Sequence, residues 1–197
     1  MAYEFTNDWF GATGRYIWDK ILPQLGPKKI LEVGSWEGKS TCFLMERLHG
    51  PLEIHCVDTW EGGAEHKGLD MSAVKTRFDN NTSFAMSNAK EDVKLKVHVG
   101  RSDAILSQMQ PDYGGYFDFI YIDGSHTAAD VLCDAVLAFR LLRSGGVMCF
   151  DDYLWRDSDP IDPINCPKVA IDAFTMIYCR QLNVLALPPT QLFVEKL

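Results

Sequence analysis

Short, nearly continuous apolar segments alternate along the chain with longer segments in which apolar residues recur every three or four positions. The first pattern is typical of strands buried on both faces, and the second is typical of helices with one buried face. The apolar segments predict five strands, at 28–35, 53–60, 94–100, 118–125 and 147–152. Because buried strands alternate with helices, we expect an α/β fold with a mostly parallel sheet and helices on both faces.

The periodic segments and their boundaries predict the helices. We expect one or two helices within 7–25 and further helices at 37–49, 128–143 and 168–180. Glycine followed by proline or by a second glycine comes after three of these segments, and such pairs end helices. The segment 183–197 is typical of two strands joined through Pro188 and Pro189, which predicts a final hairpin.

No repeat or low-complexity segment divides the sequence, so 1–197 is predicted to be a single domain. Residues 1–26 are predicted to form an N-terminal helical cap on it. Two segments, 61–93 and 153–167, are longer than simple connections need, and segments of this kind are often lids or substrate loops. Alternatively, either segment could be a plain surface loop or could contact another subunit.

The net charge limits which macromolecular partners are expected, and the cysteine pattern indicates the redox environment. The chain has 197 residues, with 27 acidic against 19 basic side chains and a net charge of −8. This balance argues against duplex nucleic acid or an anionic membrane as a main partner. The six cysteines show no CxxC spacing, and we interpret them as reduced residues of a cytoplasmic protein. No apolar segment reaches the roughly 18 residues that a membrane span needs.

Acidic residues end three of the five predicted strands, at Asp58, Asp123 and the pair Asp151–Asp152. Ligands of parallel sheets bind at this edge. Three carboxylates converging from two neighbouring strands would repel one another without a cation, and oxygen ligands of this type suit Mg²⁺. Two alternatives remain: the pair Asp151–Asp152 could begin a loop or cap the next segment, and Asp123 could contact a cofactor.

The turn after the first predicted strand has the spacing G-x-x-x-G, at Gly34 and Gly38. Gly34 allows a sharp turn, and Gly38 precedes a helix whose first N–H groups are free. The spacing differs from the G-x-G-x-x-G of dinucleotide-binding proteins and from the phosphate-binding loop. Asp58 follows Gly34 by 24 residues and could accept ribose hydroxyls. The alternative for the glycine motif is a tight turn that binds no ligand, and the alternative for Asp58 is a solvated residue in a loop.

These features resemble the class I S-adenosylmethionine-dependent methyltransferases over about 28–197. The similarity rests on E-x-G-x-x-x-G at Glu32 to Gly38, on an acid after the second strand, and on the final hairpin. It implies a Rossmann-like, seven-stranded, mostly parallel sheet with a C-terminal antiparallel hairpin. It also implies S-adenosyl-L-methionine as the cofactor.

Within this class, the chain is similar to the metal-dependent O-methyltransferases of the catechol and macrocin (macrolide-sugar) types. LEVGSWEGKST resembles their first motif, GRSDAIL their adenine loop, and FDFIYIDGSH with CFDD their metal site. The resemblance implies that Ser40 meets the methionine carboxylate and that Ser102 and Asp103 lie near adenine. The cofactor-binding residues that it implies are Glu32, Gly34, Ser35, Trp36, Gly38, Ser40, Asp58, Thr59, Trp60, Ser102, Asp103 and Asp123.

His126 follows Asp123 by three residues, and this D-x-x-H pattern supplies a general base in the macrolide-sugar enzymes. A group with a pKa near 6.5 suits removal of a hydroxyl proton at neutral pH. The resemblance therefore implies His126 and Asp123 as catalytic residues and Mg²⁺ on Asp123, Asp151 and Asp152. His126 could instead cap the following helix.

We expect a methyltransferase that transfers a methyl group from S-adenosylmethionine to a hydroxyl of a sugar or small molecule, assisted by Mg²⁺. Three alternatives stay open: a metal-independent methyltransferase with His126 as base, a nicotinamide-dependent oxidoreductase, and a binding module without activity. The absent G-x-G-x-x-G argues against the oxidoreductase. A homo-oligomer is compatible with the sequence.

Overall fold

Seven strands form one sheet in the computed structural model, which describes residues 2–63, 66–156 and 162–197. The strands are β1 (Lys29–Val33), β2 (Leu52–Asp58), β3 (Val93–Val99), β4 (Phe117–Ile122), β5 (Leu142–Phe150), β6 (Leu182–Val184) and β7 (Leu192–Lys196). They stand in the order β3-β2-β1-β4-β5-β7-β6. The first five are parallel, and β7 is antiparallel to β5 and β6. The predicted fold class and final hairpin are confirmed.

Helices cover both faces of the sheet. They are α1 (Trp9–Thr13), α2 (Arg15–Leu25), α3 (Lys39–Arg47), α4 (Val74–Asn88), α5 (Ser102–Tyr113), α6 (Ala128–Leu141) and α7 (Pro167–Ile177). Side chains alternate along β4, so Phe119 and Tyr121 pack among residues of the first four helices. Ile120 and Ile122 pack among residues of the last three. Trp18 of α2 packs in the first of these two layers and is the largest fully buried side chain there.

The order of the strands reverses beside β1, which pairs with β2 on one side and with β4 on the other. The chain passes from β1 outward through β2 to β3, then crosses back to β4. The connections that leave β1 and β4 therefore diverge and open a crevice at the carboxyl ends of these strands. This is the position at which open parallel sheets bind ligands.

One predicted boundary is wrong. The sequence predicted a helix over 128–143, a break at Gly145–Gly146 and a strand over 147–152. In the structure α6 ends at Leu141 and β5 begins at Leu142, so both glycines lie inside the strand. Gly145 has a φ of +69°, and the register between β4 and β5 shifts in this region. The glycines thus allow an irregular start of β5 rather than ending a helix.

Two helices were not predicted at all. Helix α4 occupies the middle of 61–93 and forms the crossover from β2 to β3, which leaves a shorter loop over 61–73. Helix α5 begins directly after Arg101. Residues 64–65 and 157–161, which belong to the two predicted lid segments, lie outside the described residues. Among the described helices, none combines the length and apolar character that a membrane crossing requires.

Candidate active site

A cavity of about 830 Å³ lies at the carboxyl ends of the parallel strands. Its volume falls in the range of pockets that hold small molecules or cofactors. The structure brings most of the predicted site residues to its wall. These are Gly34, Ser35, Trp36, Ser40, Asp58, Thr59, Ser102, Asp103, Asp123, His126, Asp151 and Asp152. Glu32, Gly38 and Trp60 do not line it, although the sequence placed them among the cofactor-binding residues.

Gly34 lets the turn after β1 pass close to the turn after β4. Its φ is +84°, and a Cβ at this position would lie 1.9 Å from the carbonyl oxygen of Asp123. No other residue type fits at such an approach, and the conformation is strained for any side chain. The glycine therefore brings the two turns that form the centre of the cavity into contact.

Asp58 holds the same turn through backbone hydrogen bonds. Its Oδ2 accepts the amides of Ser35 and Trp36 at 2.8 and 2.9 Å, and its Oδ1 accepts the amide of Trp60 at 2.7 Å. Asp58 is partly buried and accepts three backbone N–H groups, so it is more than a solvated acid of a loop. Asp58 lines the cavity, so its contact with a ribose stays a prediction.

Glu32 lies beneath the turn and not on the cavity wall. Its fully buried carboxylate accepts hydroxyl hydrogen bonds from Ser35 at 2.8 Å and from Ser40 and Thr41. Burial raises the pKa of Glu32, and the three hydroxyls act against that shift. Through these hydroxyls Glu32 orders the start of α3 from beneath the turn. Ser40 lines the cavity but directs its hydroxyl to Glu32.

Gly38 and Trp60 also support the turn from behind. Gly38 precedes α3 with a φ of +80°, and a Cβ there would lie 3.0 Å from the ring of Phe78. The indole of Trp60 donates to the carbonyl of Trp36 at 2.8 Å and packs against Phe78 with the ring centroids 5.0 Å apart. Their side-chain positions face the core, which is why neither reaches the cavity.

Three carboxylates converge at the other side of the cavity. One oxygen each from Asp123, Asp151 and Asp152 lies within 4.8 Å of the others. The pairing of β4 with β5 explains this, because the last residues of the two strands, Ile122 and Phe150, are opposite each other and an aspartate follows each of them directly. Asp152 has a φ of +53°, an uncommon conformation for a residue other than glycine. The predicted convergence of these acids is found.

The electrostatics of this cluster favour a cation. Burial, followed by the charges of Asp151 and Asp152, raises the pKa of Asp123 well above its ordinary value. Burial and the charge of Asp152 raise the pKa of Asp151 to about 6. Such shifts mean that the negative charges are not compensated by their surroundings. Carboxylate oxygens at these spacings could hold a hard divalent cation.

A chain of buried hydrogen bonds, not predicted from the sequence, supports Asp151. Tyr121 donates to Asp151 and lies 3.0 Å from Oδ2 of Asp123. The amide of Gln191 donates to Asp151 Oδ1 at 3.1 Å, and its oxygen accepts the indole N–H of Trp18 at 2.9 Å. The N-terminal helix α2 and the start of β7 therefore fix one of the three carboxylates. Nothing in the sequence distinguishes a buried Gln191 from a surface glutamine.

His126 pairs with the acidic cluster. Its Nε2 lies 2.7 Å from Oδ2 of Asp152, and its ring stacks on Trp155 with the centroids 4.3 Å apart. Helix α6 begins after Thr127, whose amide is bonded to the hydroxyl of Ser125 at 3.1 Å. The Nε2 contact with Asp152 gives His126 a partner among the acids, so helix capping is not needed to explain its position.

Aromatic rings form a further part of the wall. Trp36 stacks on His66 with centroids 4.4 Å apart, and Trp9 of α1 packs against Trp36 at 5.4 Å. All three line the cavity. Trp9 and His66 were missed because a single aromatic residue in a helix or loop carries no sign of the cavity it faces. The predicted helical cap thus contributes directly to the site.

A family profile described as "Methyltransferase domain" matches residues 31–153. The chain belongs to this family. The matched range runs from within β1 to just beyond β5 and contains all of the strand-end acids described above. The resemblance drawn from the sequence motifs is therefore confirmed at the level of the family.

Two curated relatives are similar to the chain. A probable caffeoyl-CoA O-methyltransferase 3 of Dictyostelium discoideum is 25% identical over 142 residues, which covers 72% of this chain and 50% of the relative. A rhamnosyl O-methyltransferase of Mycobacterium tuberculosis is 24% identical over 157 residues, which covers 77% of this chain and 56% of the relative. The chain spans about half the length of the curated relatives that it matches.

Solved structures share the fold. An O-methyltransferase from Bacillus cereus in complex with SAH superposes with a TM-score of 0.68 at 19% identity, covering 100% of this chain and 84% of that one. The MycE methyltransferase in complex with Mg, SAH and mycinamycin VI gives a TM-score of 0.62 at 18% identity, covering 98% of this chain and 50% of that one. At these identities the similarity establishes the fold alone.

Proposed function

We propose that the protein is an S-adenosylmethionine-dependent O-methyltransferase that methylates a hydroxyl of a sugar or small molecule with the help of Mg²⁺. The main observation in support is that three features lie in one cavity. These are the turn after β1, the three converging carboxylates and a histidine paired with one of them. Family membership supports the reaction type, and the names of both curated relatives support oxygen as the methyl acceptor.

The turn after β1 suits an adenosyl cofactor. Gly34 brings this turn against the turn after β4, and the hydrogen bonds of Asp58 order the next two amides. One side of the cavity would hold the ribose and methionine parts of the cofactor. It is lined by Ser35, Trp36, Asp58 and Thr59. The cofactor supplies an electrophilic methyl group, and the cavity would align it with the acceptor oxygen.

The acidic cluster suits Mg²⁺. Asp123, Asp151 and Asp152 offer three hard oxygen ligands within 4.8 Å of one another, and a cation would relieve their mutual repulsion. A bound divalent cation lowers the pKa of a coordinated hydroxyl. The MycE complex, which contains Mg, gives independent support from a protein of the same fold.

The residues of the chain itself would move the proton. Because Nε2–H of His126 donates to Asp152, the imidazole would take the proton up at Nδ1, and Asp152 would stabilise the resulting imidazolium. Trp155 covers one face of the imidazole and limits contact with water. The aromatic wall of Trp9, Trp36 and His66 provides apolar surface against which the body of an acceptor could pack.

The direct test is to incubate purified protein with S-adenosylmethionine and a panel of hydroxylated acceptors, including free and glycosylated sugars and a catechol. Formation of S-adenosylhomocysteine is then measured with Mg²⁺ and after exhaustive chelation. We expect acceptor-dependent product formation that chelation abolishes and added Mg²⁺ restores. Absence of S-adenosylhomocysteine binding in a calorimetric titration would contradict the proposal.

The short contact between His126 and Asp152 favours a second candidate, a methyltransferase that needs no metal. A histidine supported by a carboxylate can act as a general base without a cation. Full activity after chelation would support this candidate and remove the role of Mg²⁺, while leaving the cofactor assignment intact.

A further inference from the structure

Gln191 is a buried amide beside the acidic cluster, and the proposed mechanism does not use it. It directly precedes β7, and the antiparallel pairing that sets Leu192 opposite Phe150 brings Gln191 next to Asp151. The side chain is only 1% exposed to solvent. A buried polar group that is left unpaired costs about 1–3 kcal/mol, so the two ends of this amide both need partners.

Trp18 fixes the direction in which the amide of Gln191 points. An indole N–H can only donate a hydrogen bond, so the amide oxygen must face it, and the distance between them is 2.9 Å. The NH₂ group is then directed at Oδ1 of Asp151, at 3.1 Å. Rotation of the amide by 180° would set N–H against N–H on one side and oxygen against oxygen on the other. Trp18 therefore makes Gln191 a donor toward the acidic cluster.

The packing around this pair leaves little freedom to either side chain. The fully buried ring of Trp18 packs edge-on against Phe119 and Tyr121, with centroids 5.3 and 4.7 Å away. Gly14, between α1 and α2, makes room for the amide, because a Cβ at this position would lie 2.6 Å from Nε2 of Gln191. The amide is thus held in a closely fitting space by the N-terminal helices.

The two oxygens of Asp151 have different partners. Oδ1 accepts two N–H groups, the amide of Gln191 and the backbone amide of Asp152 at 2.9 Å. Oδ2 accepts the hydroxyl of Tyr121. Because a carboxylate oxygen can accept about two hydrogen bonds, the two N–H groups fill Oδ1, whereas the hydroxyl takes one of the two positions at Oδ2.

We propose that Gln191 is a positioning residue for the divalent cation: it occupies Oδ1 of Asp151 and so leaves Oδ2 as the oxygen that binds Mg²⁺. Held at Oδ1, the carboxylate cannot turn freely about its Cβ–Cγ bond, and the three acids keep the spacing at which they can share a cation. Groups that hold a metal ligand in this way typically change metal affinity 10- to 100-fold. The inference rests on the proposed function, because it requires that the cluster bind a cation.

The first test measures Mg²⁺ binding to the whole purified chain by calorimetry, without an acceptor. Gln191→Met fills a similar volume but offers no donor to Asp151. We expect it to bind Mg²⁺ about 10- to 100-fold more weakly than the wild type. S-adenosylhomocysteine should bind as it does to the wild type, because the turn after β1 is unchanged. Equal Mg²⁺ affinity in the two proteins would overturn the inference.

Gln110→Met is the matched control. Gln110 of α5 also donates two hydrogen bonds through its amide, to the carbonyls of Leu106 and Leu137 at 2.9 and 3.1 Å, and it does not line the cavity. The control variant loses those hydrogen bonds and should keep the wild-type Mg²⁺ affinity. If Gln191→Met does not fold, Gln191→Asn replaces it, since the shorter amide cannot span both partners and should show the same loss.

A double-mutant cycle separates positioning from a general loss of packing. Trp18→Phe keeps an aromatic ring but removes the N–H, so the amide of Gln191 can turn its oxygen toward Asp151. We expect about threefold to tenfold weaker Mg²⁺ binding. In the Gln191→Met background the same change should have no further effect on Mg²⁺ affinity, because Trp18 acts through the amide. Losses that add in the double variant would overturn this route.

The failures of the two proposals are distinguishable. If the wild type does not bind Mg²⁺, the metal part of the proposed function fails and this inference fails with it. If the wild type binds Mg²⁺ and Gln191→Met binds it equally well, the cation site stands and the role of Gln191 is wrong.

Discussion

Two groups of acids near the carboxyl edge of the sheet have opposite surroundings: those that support the turn after β1, and those that converge at the other side of the cavity. Asp58 accepts three backbone N–H groups and Glu32 accepts three hydroxyls, so each stands alone among donors. Asp123, Asp151 and Asp152 face one another within 4.8 Å. An acid after a strand therefore stabilises the backbone where donors surround it, and suits a cation where other acids surround it.

The largest effect that would test this contrast is expected from Asp151→Ala combined with Asp152→Ala. The double variant loses two of three cation ligands and the partner of His126, so turnover should fall about 10⁴-fold or more. The turn after β1 is untouched, and calorimetry should show that S-adenosylhomocysteine still binds. Asp172→Ala, which changes an exposed acid of α7 outside the cavity, serves as the control and should keep wild-type turnover.

The next largest effect is expected from His126→Ala. If His126 is the base, turnover should fall by roughly 10²–10⁴-fold. The dependence of the rate on pH should also lose the limb that reports titration of the imidazole, which a merely structural change would not remove. Wild-type turnover in this variant would show that the acids act without His126.

Asp151→Asn should stabilise the metal-free protein at pH 8, because it removes a buried negative charge that the neighbouring acids repel. The pKa of Asp151 is about 6 in the folded protein, above its ordinary value of 3.8. The folded state therefore holds a proton that the unfolded state has lost, and stability falls as pH rises between these values. The cost at pH 8 without metal is up to about 3 kcal/mol. Urea unfolding in EDTA should show Asp151→Asn to be more stable than the wild type at pH 8, with no gain near pH 4.

The same experiment with Mg²⁺ provides the control for Asp151→Asn. The cation should stabilise the wild type at pH 8 by binding only the folded state, and it should stabilise the variant less. If Asp151→Asn is less stable than the wild type at pH 8 in EDTA, the acids of the cluster do not destabilise one another, and the two groups of acids do not differ in the way described.

Asp58→Asn should give the smallest effect, and it should lower the stability of the protein, whereas Asp151→Asn should raise it at pH 8. The amide NH₂ would face one of the backbone N–H groups that the carboxylate now accepts, so the free energy of unfolding should fall by about 1–2 kcal/mol. Mg²⁺ should not change this difference, because Asp58 has no neighbouring acid in the cluster. Urea unfolding of both proteins with and without Mg²⁺ measures it.

The sequence predicted those parts of the molecule that depend on local patterns and on strand ends. The buried strands were visible as apolar segments, and the acids that follow Ile122 and Phe150 came together because parallel strands end at one edge of the sheet. Helix α4 was missed because its buried face includes the polar side chains of Asn81 and Thr82, which hide the apolar period. Helix α5 buries only Leu106 and Met109.

Contacts between distant segments could not be predicted. Glu32, Gly38 and Trp60 carry the motif of a cofactor turn, but only the packing of Phe78 and the hydroxyls beneath the turn show that they support it from behind. A motif identifies the place of a site, whereas burial and partners decide which members of the motif reach its surface.

The hydrogen bonds from Trp18 through Gln191 to Asp151 have a practical consequence for engineering. The family match covers residues 31–153, so both the tryptophan and the glutamine lie outside it. A chimera that exchanged only the matched range would join foreign α2 and β7 segments to this acidic cluster and leave Asp151 without its support. Exchange of catalytic modules in this family should therefore keep the helix before β1 and the hairpin after α7 together with the strands they surround.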